Sequence, residues 1–318
     1  MLRRIPAAIA VLGLSALALV GCSTASASAS CERPDASSPA LDLITASGAE
    51  GTPAVAVKDP VNVAETAFAD VSVGDGPAVT TDAQDVVFSV AIASGVTGET
   101  LVASPTAVRS VAGWAEHYQG LADMLACATE GSRIVGAIPF EGMSAEASSS
   151  MGITEGQSVA VVLDLQRVYL PAADGAPQYN DRPGMPSVVL APTGAPGIIV
   201  PDAAPPAELA VEVLKLGDGP AVGDGDSIRI HYTGVTWDDR EVFDSTWEKG
   251  ASAAVTLDGV VPGFAQALEG ATVGSQLLVV IPPELGYGDA GSGSIPGGAT
   301  LVFVIDVLGI DTPAATTE

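Results

Sequence analysis

The sequence predicts an α+β fold in which an antiparallel sheet curls over one short helix, and it predicts that fold twice in one chain. The first observation is a repeat. Gly74-Asp75-Gly76-Pro77-Ala78-Val79 recurs letter for letter as Gly217-Asp218-Gly219-Pro220-Ala221-Val222, an offset of 143 residues, and the same offset aligns 121–139 with 264–282. At an offset of 142, 160–165 falls on 302–307. Self-similarity held in register marks a repeated folding unit. The second observation is compositional: 47% of the 318 residues are hydrophobic but only 4% are aromatic. Ala and Val in alternating segments are the pattern of strands.

The elements follow in order. Arg3 and Arg4 precede an apolar run from Ile9 to Val20, too short to span a bilayer and suited to a signal peptide over 1–21. Leu19-Val20-Gly21-Cys22 resembles the lipobox of bacterial lipoproteins, which implies acylation of Cys22; the alternative is a secreted chain cut elsewhere. A Ser/Ala-rich stretch makes 22–48 a flexible tether. The first copy spans 49–171, a Pro/Gly-rich linker 172–205, the second copy 206–310 and a tail 311–318. The linker's last part, around Ile198 to Pro201, is a candidate to pair with the second sheet. With Cys22 acylated, Cys31 and Cys127 form an even pair in an oxidising compartment, which invites a disulfide; two buried free thiols are the alternative.

Within the second copy, Ile228, Ile230 and Tyr232 alternate with Arg229, His231 and Thr233 as in a half-buried strand. Pro262 to Leu268 reads as a helix opened by proline and ended by Gly270. Gln276 to Ile281 and Leu301 to Leu308 close the sheet.

The segments HYTGV (231–235), VFDSTW (242–247), VVPGF (260–264), IPPELGYG (281–288) and IPGGATLVFVIDVL (295–308) occur in that order. Together they resemble the FKBP family of peptidyl-prolyl cis-trans isomerases. The resemblance implies a hydrophobic pocket lined by Tyr232, Phe243, Phe264, Tyr287 and Phe303, with Val260, Val261 and Ile295 as an apolar wall. It implies that the Tyr287 hydroxyl and the Val261 N–H bind ligand carbonyls and that Asp244 places a carboxylate near the twisting carbonyl; a turn-capping role is the alternative for Asp244. Trp247 would rim the pocket. Phe264 stands where many members have tryptophan, and Ala253 thins one wall. By the same register the first copy carries Val90, Leu121, Ser144 and Val161 at Tyr232, Phe264, Tyr287 and Phe303, a degenerate copy left for client binding or spacing. His117 and Tyr118 fall at Val260 and Val261, either as a binding feature or as packing.

The chain carries 38 acidic and 12 basic residues, a formal charge of −26, which excludes nucleic acid as a natural partner. That charge keeps an exported protein soluble and monomeric, and it also suits basic client segments. No phosphate loop, zinc motif or EF-hand spacing is present, and no cofactor is expected. The expected function is acceleration of X-Pro isomerisation in proline-containing, unfolded exported clients at the outer face of a bacterial membrane, with a macrolide as a possible ligand. The alternatives are a client-binding chaperone module with weak or no isomerase activity, and a passive envelope lipoprotein.

Overall fold

The computed structural model describes residues 31–180 and 182–311. The signal segment, Cys22 and the tail 312–318 lie outside the described residues. In the first half the strands are β1 (Ile44–Ser47), β2 (Ala54–Val57), β3 (Ala67–Ser72), β4 (Asp85–Ser94), β5 (Thr100–Pro105), β6 (Arg109–Ser110), β7 (Arg133–Pro139) and β8 (Ser158–Val168). In the second they are β9 (Ala176–Pro177), β10 (Ser187–Leu190), β11 (Pro196–Ile199), β12 (Ala210–Leu216), β13 (Ser227–Thr236), β14 (Val242–Ser245), β15 (Ala253–Thr256), β16 (Gln276–Ile281) and β17 (Leu301–Asp311). The helices are α1 (Val111–Ala115), α2 (Gln119–Leu125), α3 (Ala145–Ser150), α4 (Thr246–Lys249) and α5 (Pro262–Leu268). Each half thus has more than the single helix expected, because Ser110, Ser144 and Ser245 cap extra turns by accepting from Gly113, Ala147 and Glu248 N–H.

One sheet has the order β3-β7-β8-β4-β5, with β6 also on β4; the other has β14-β13-β17-β16-β12-β9, with β15 also on β13. Matching strands pair in matching register. Ala67 faces Ala137 as Ala210 faces Val280, and Val90 faces Leu163 as Tyr232 faces Ile305. The identical hexapeptides are explained by close approach: a Cβ on Gly74 would lie 2.0 Å from the Glu130 carbonyl oxygen, and one on Gly217 2.1 Å from that of Val273. Gly74 and Gly217 N–H donate to Ser132 and Ser275 hydroxyls, each at 3.0 Å.

Each sheet buries both faces. The inner faces pack on helices through Phe88, Met124, Leu125 and Leu163 in one half, and Ile228, Leu268, Leu277 and Ile305 in the other. The outer faces are covered by the segments assigned from sequence as tether and linker, which corrects both assignments. Residues 31–48 are folded: Leu41 and Ile44, with Val55 and Val61, pack on the small outward residues Ala91, Ala93, Ala137 and Ala160. In the second half Val200, Met185, Val188 and Ile198 cover Val280, Val302, Val304 and Trp237. Ile198 reaches that face from the separate β10–β11 hairpin and forms no ladder with the main sheet. The half-buried alternation expected around His231 is corrected for the same reason, since His231 and Thr233 are buried on the covered face. The two hairpins recur in the chain at the spacing of the repeat: β1 and β10 begin 143 residues apart, β2 and β11 142. Asp164 ties one sheet to its cover by accepting from Arg133 and from Gly51 N–H; Asp306 ties the other by accepting from Gln276 and Ala173 N–H.

Cys31 and Cys127 are joined by a disulfide with Cα atoms 5.4 Å apart. Cys127 has φ +57° and occupies the helix-ending position held 143 residues later by Gly270, with φ +74°. The halves meet where Tyr169 packs on Gly309 and donates to Asp311 at 2.6 Å, Asp311 also pairing with Arg229.

Candidate active site

β13, β14, β17 and α5 bring four aromatic rings together. Phe303 is the hub, with its centroid 5.4 Å from Phe243, 5.0 Å from Phe264 and 6.0 Å from Tyr232, all edge to face. Edge-to-face contact is the arrangement ring quadrupoles favour. It depends on Gly234, which faces Phe303 across the ladder: a Cβ there would lie 2.5 Å from Phe243 Cζ and 2.7 Å from Phe303 Cε1.

These rings border a cleft of about 360 Å³ lined by Tyr232, Phe243, Asp244, Val255, Asp258, Gly259, Val260, Val261, Phe264, Tyr287 and Phe303. Eight of the nine residues expected from the sequence are therefore brought together. The ninth, Ile295, is corrected: it is buried in the core cluster with Phe264 and Phe303 and is not among the lining residues. Trp247 does not rim the cleft either; it stacks on His231 at 4.2 Å. The wall near Ala253 is completed by Val255, two residues along β15.

The polar groups sit at the edges of this apolar box. The Tyr232 hydroxyl donates to Asp244 Oδ2 at 2.7 Å, and Lys249 pairs with Asp244 Oδ1. Burial alone would raise the Asp244 carboxyl, but the bonds from Lys249 and Tyr232 outweigh it and hold it below the usual carboxylate range. Burial, then the bond to Asp244, pushes the Tyr232 phenol well above its ordinary value. Both groups keep their protonation states near neutrality, tyrosine neutral and aspartate charged. Tyr287 is 39% exposed, and no hydrogen bond among the described residues engages its hydroxyl. Val261 caps the N-terminus of α5 with an extended backbone, and no described residue accepts from its N–H.

Sequence reasoning missed Lys249, Val255, Asp258, Gly259 and Gly234. The signal for Lys249 was present: five residues beyond Asp244, across a Ser-capped turn, it lies within reach of that carboxylate. The equivalent region of the first half holds Val90, Leu121, Val161 and, in place of Gly234, Ile92, all buried. Ser144 there caps α3, while Tyr118 packs partly buried against the core.

The chemistry open to such a cleft is rotation without bond breaking. A peptide bond resists twisting by roughly 18–20 kcal/mol because its resonance form separates charge. A dry aromatic box disfavours that form, and fixed donors favour the twisted amide. Lowering the barrier by about 4 kcal/mol gives roughly a thousandfold.

Comparison with known proteins agrees with this chemistry. The family model for FKBP-type peptidyl-prolyl cis-trans isomerase matches residues 219–308. A probable FK506-binding protein of Corynebacterium glutamicum is 35% identical over 113 residues, which make up 36% of this chain and 96% of that protein. An FK506-binding protein of Streptomyces anulatus is 37% identical over 119 residues, with the same coverages. The crystal structure of FkpA from Escherichia coli aligns with a TM-score of 0.33 and 32% identity, over 42% of this chain and 54% of that one. With near-complete coverage of two relatives and a match spanning the cleft, this chain belongs to the FKBP-type peptidyl-prolyl cis-trans isomerase family.

Proposed function

We propose that the chain is an exported folding enzyme, anchored through a lipid on Cys22 at the outer face of a bacterial membrane, that turns X-Pro bonds in unfolded, proline-containing clients. The observation that carries this reading is the ring cluster around Phe303, which borders a cleft of about 360 Å³. In this reading Phe264 and Phe303 hold the prolyl ring. Val261 N–H and the Tyr287 hydroxyl receive carbonyls, and Asp244, fixed by Tyr232 and Lys249, faces the rotating amide. A macrolide of the kind named for the two relatives would compete for the same cleft.

The first half is a degenerate copy of the same fold. Its support is the shared strand order and register, with buried aliphatic residues where the second half has rings. The duplicated unit then runs over about 31–171 and 172–311, each including its outer hairpin, and the chain acts as a monomer. A second reading, client holding with little isomerisation, draws on the exposed Tyr179, Val189 and Ile199 of the second cover.

The test is a proline-limited refolding assay and a peptide isomerisation assay on the whole chain, with Tyr287→Phe and Phe303→Ala variants and a macrolide competitor. The enzyme reading expects the variants to lose both activities together. Refolding assistance that survives lost isomerisation would favour holding.

A further inference from the structure

From residue 206 onward the chain carries four Lys and Arg side chains, Lys215, Arg229, Arg240 and Lys249. Each is already engaged: Lys215 donates to the Ala173 carbonyl, Arg229 pairs with Asp311, Arg240 with Asp202 and Lys249 with Asp244. Two carboxylates line the cleft, Asp244 and Asp258. Asp244 is neutralised by Lys249 and held by Tyr232. Asp258 lies in the turn leading to Val260 and Val261, is exposed, and has no ion-pair or hydrogen-bond partner among the described residues. The unbalanced charge at this apolar cleft is therefore that of Asp258, within a chain whose net charge is −26.

We infer that Asp258 is a specificity-determining residue that favours substrates carrying lysine or arginine immediately beside the proline. The inference rests on the cleft being the isomerase site. A neutral rim would leave the choice of flanking residue to apolar contact alone, whereas a carboxylate attracts a flanking cation and repels a flanking anion. Because Asp258 faces solvent, its effect is modest and screened by salt, about two- to five-fold at low ionic strength.

The test uses the whole chain and two peptide series in which Lys, Leu or Glu stands immediately before or immediately after the proline. The measured quantity is kcat/KM for each peptide, at low and at about 0.5 M salt. The expected result is a Lys-over-Glu preference in at least one series that shrinks with salt, collapses in Asp258→Asn and is kept in Asp258→Glu. A preference absent from both series, or one of equal size in Asp258→Asn, overturns the inference while leaving the isomerase reading standing. Failure to turn over any peptide, leucine included, defeats the isomerase reading and this inference with it.

Discussion

Gly234 and Phe303 face one another across β13 and β17, and the missing side chain of the first is what lets the ring of the second meet Phe243. Gly234→Ala forces at least one ring aside. The expected outcome is a fall in kcat/KM on the order of tenfold or more with a stability loss of about 1–3 kcal/mol from overpacking. Peptide isomerisation and urea unfolding of the same variant check the two parts. The first half tolerates Ile92 at this position because it faces Val161 rather than a phenyl ring.

Turnover is expected to be flat between about pH 5 and 8, since no proton moves in the rotation and neither cleft partner titrates there. Asp244 is held below its ordinary 3.8 and Tyr232 above its ordinary 10.0. The stabilisation from ionised Asp244 is complete above its unfolded value and lost only as pH falls through its lower folded one. A bell-shaped kcat/KM profile across that range would contradict rotation without proton transfer.

Stability, in contrast, should fall in mild acid because of His231. Burial lowers its pKa from 6.5 to about 4, so the folded state resists a proton that the unfolded chain accepts. Stability is full above about pH 6.5 and declines as pH drops toward 4, by on the order of 3 kcal/mol in total. Urea midpoints at pH 7 and pH 4.5 should differ less in His231→Gln than in the parent chain.

The bounds of α5 were legible because they rest on proline and glycine punctuation. The aromatic members of the cleft were legible because each sits in its own short motif. The outer covers were not, since their strands are only four residues long, too short for the alternation in β1, β2 and β11 to stand out from the surrounding Pro, Gly and Ser. Their partners are mostly alanines and valines that announce no binding face. Trp247 was misplaced because a stacking partner on β13, His231, decided its position.

Ile44→Ala tests the first cover. Ile44 is buried, so truncation should cost about 2–4 kcal/mol, whereas a residue in a loose tether would change stability by less than about 0.5 kcal/mol. Thermal or urea unfolding distinguishes the two.

Loss of the disulfide, by Cys31→Ser with Cys127→Ser, should cost about 2–4 kcal/mol, as its closure of 96 residues of separation suggests. Replacing Cys127 by Gly instead, still with Cys31→Ser, should recover about 1 kcal/mol, because glycine accepts positive φ without strain. Differential scanning calorimetry of the two double variants makes the comparison.

In both halves the covering hairpin precedes in the chain every strand of the sheet it shields except the two-residue β9. As the polypeptide emerges N-terminus first, the shield is available before the last strand docks, and neither sheet must wait with a bare back for residues still to be made. The order of emergence thus guards each newly closed sheet against sticking to neighbouring chains while folding is incomplete.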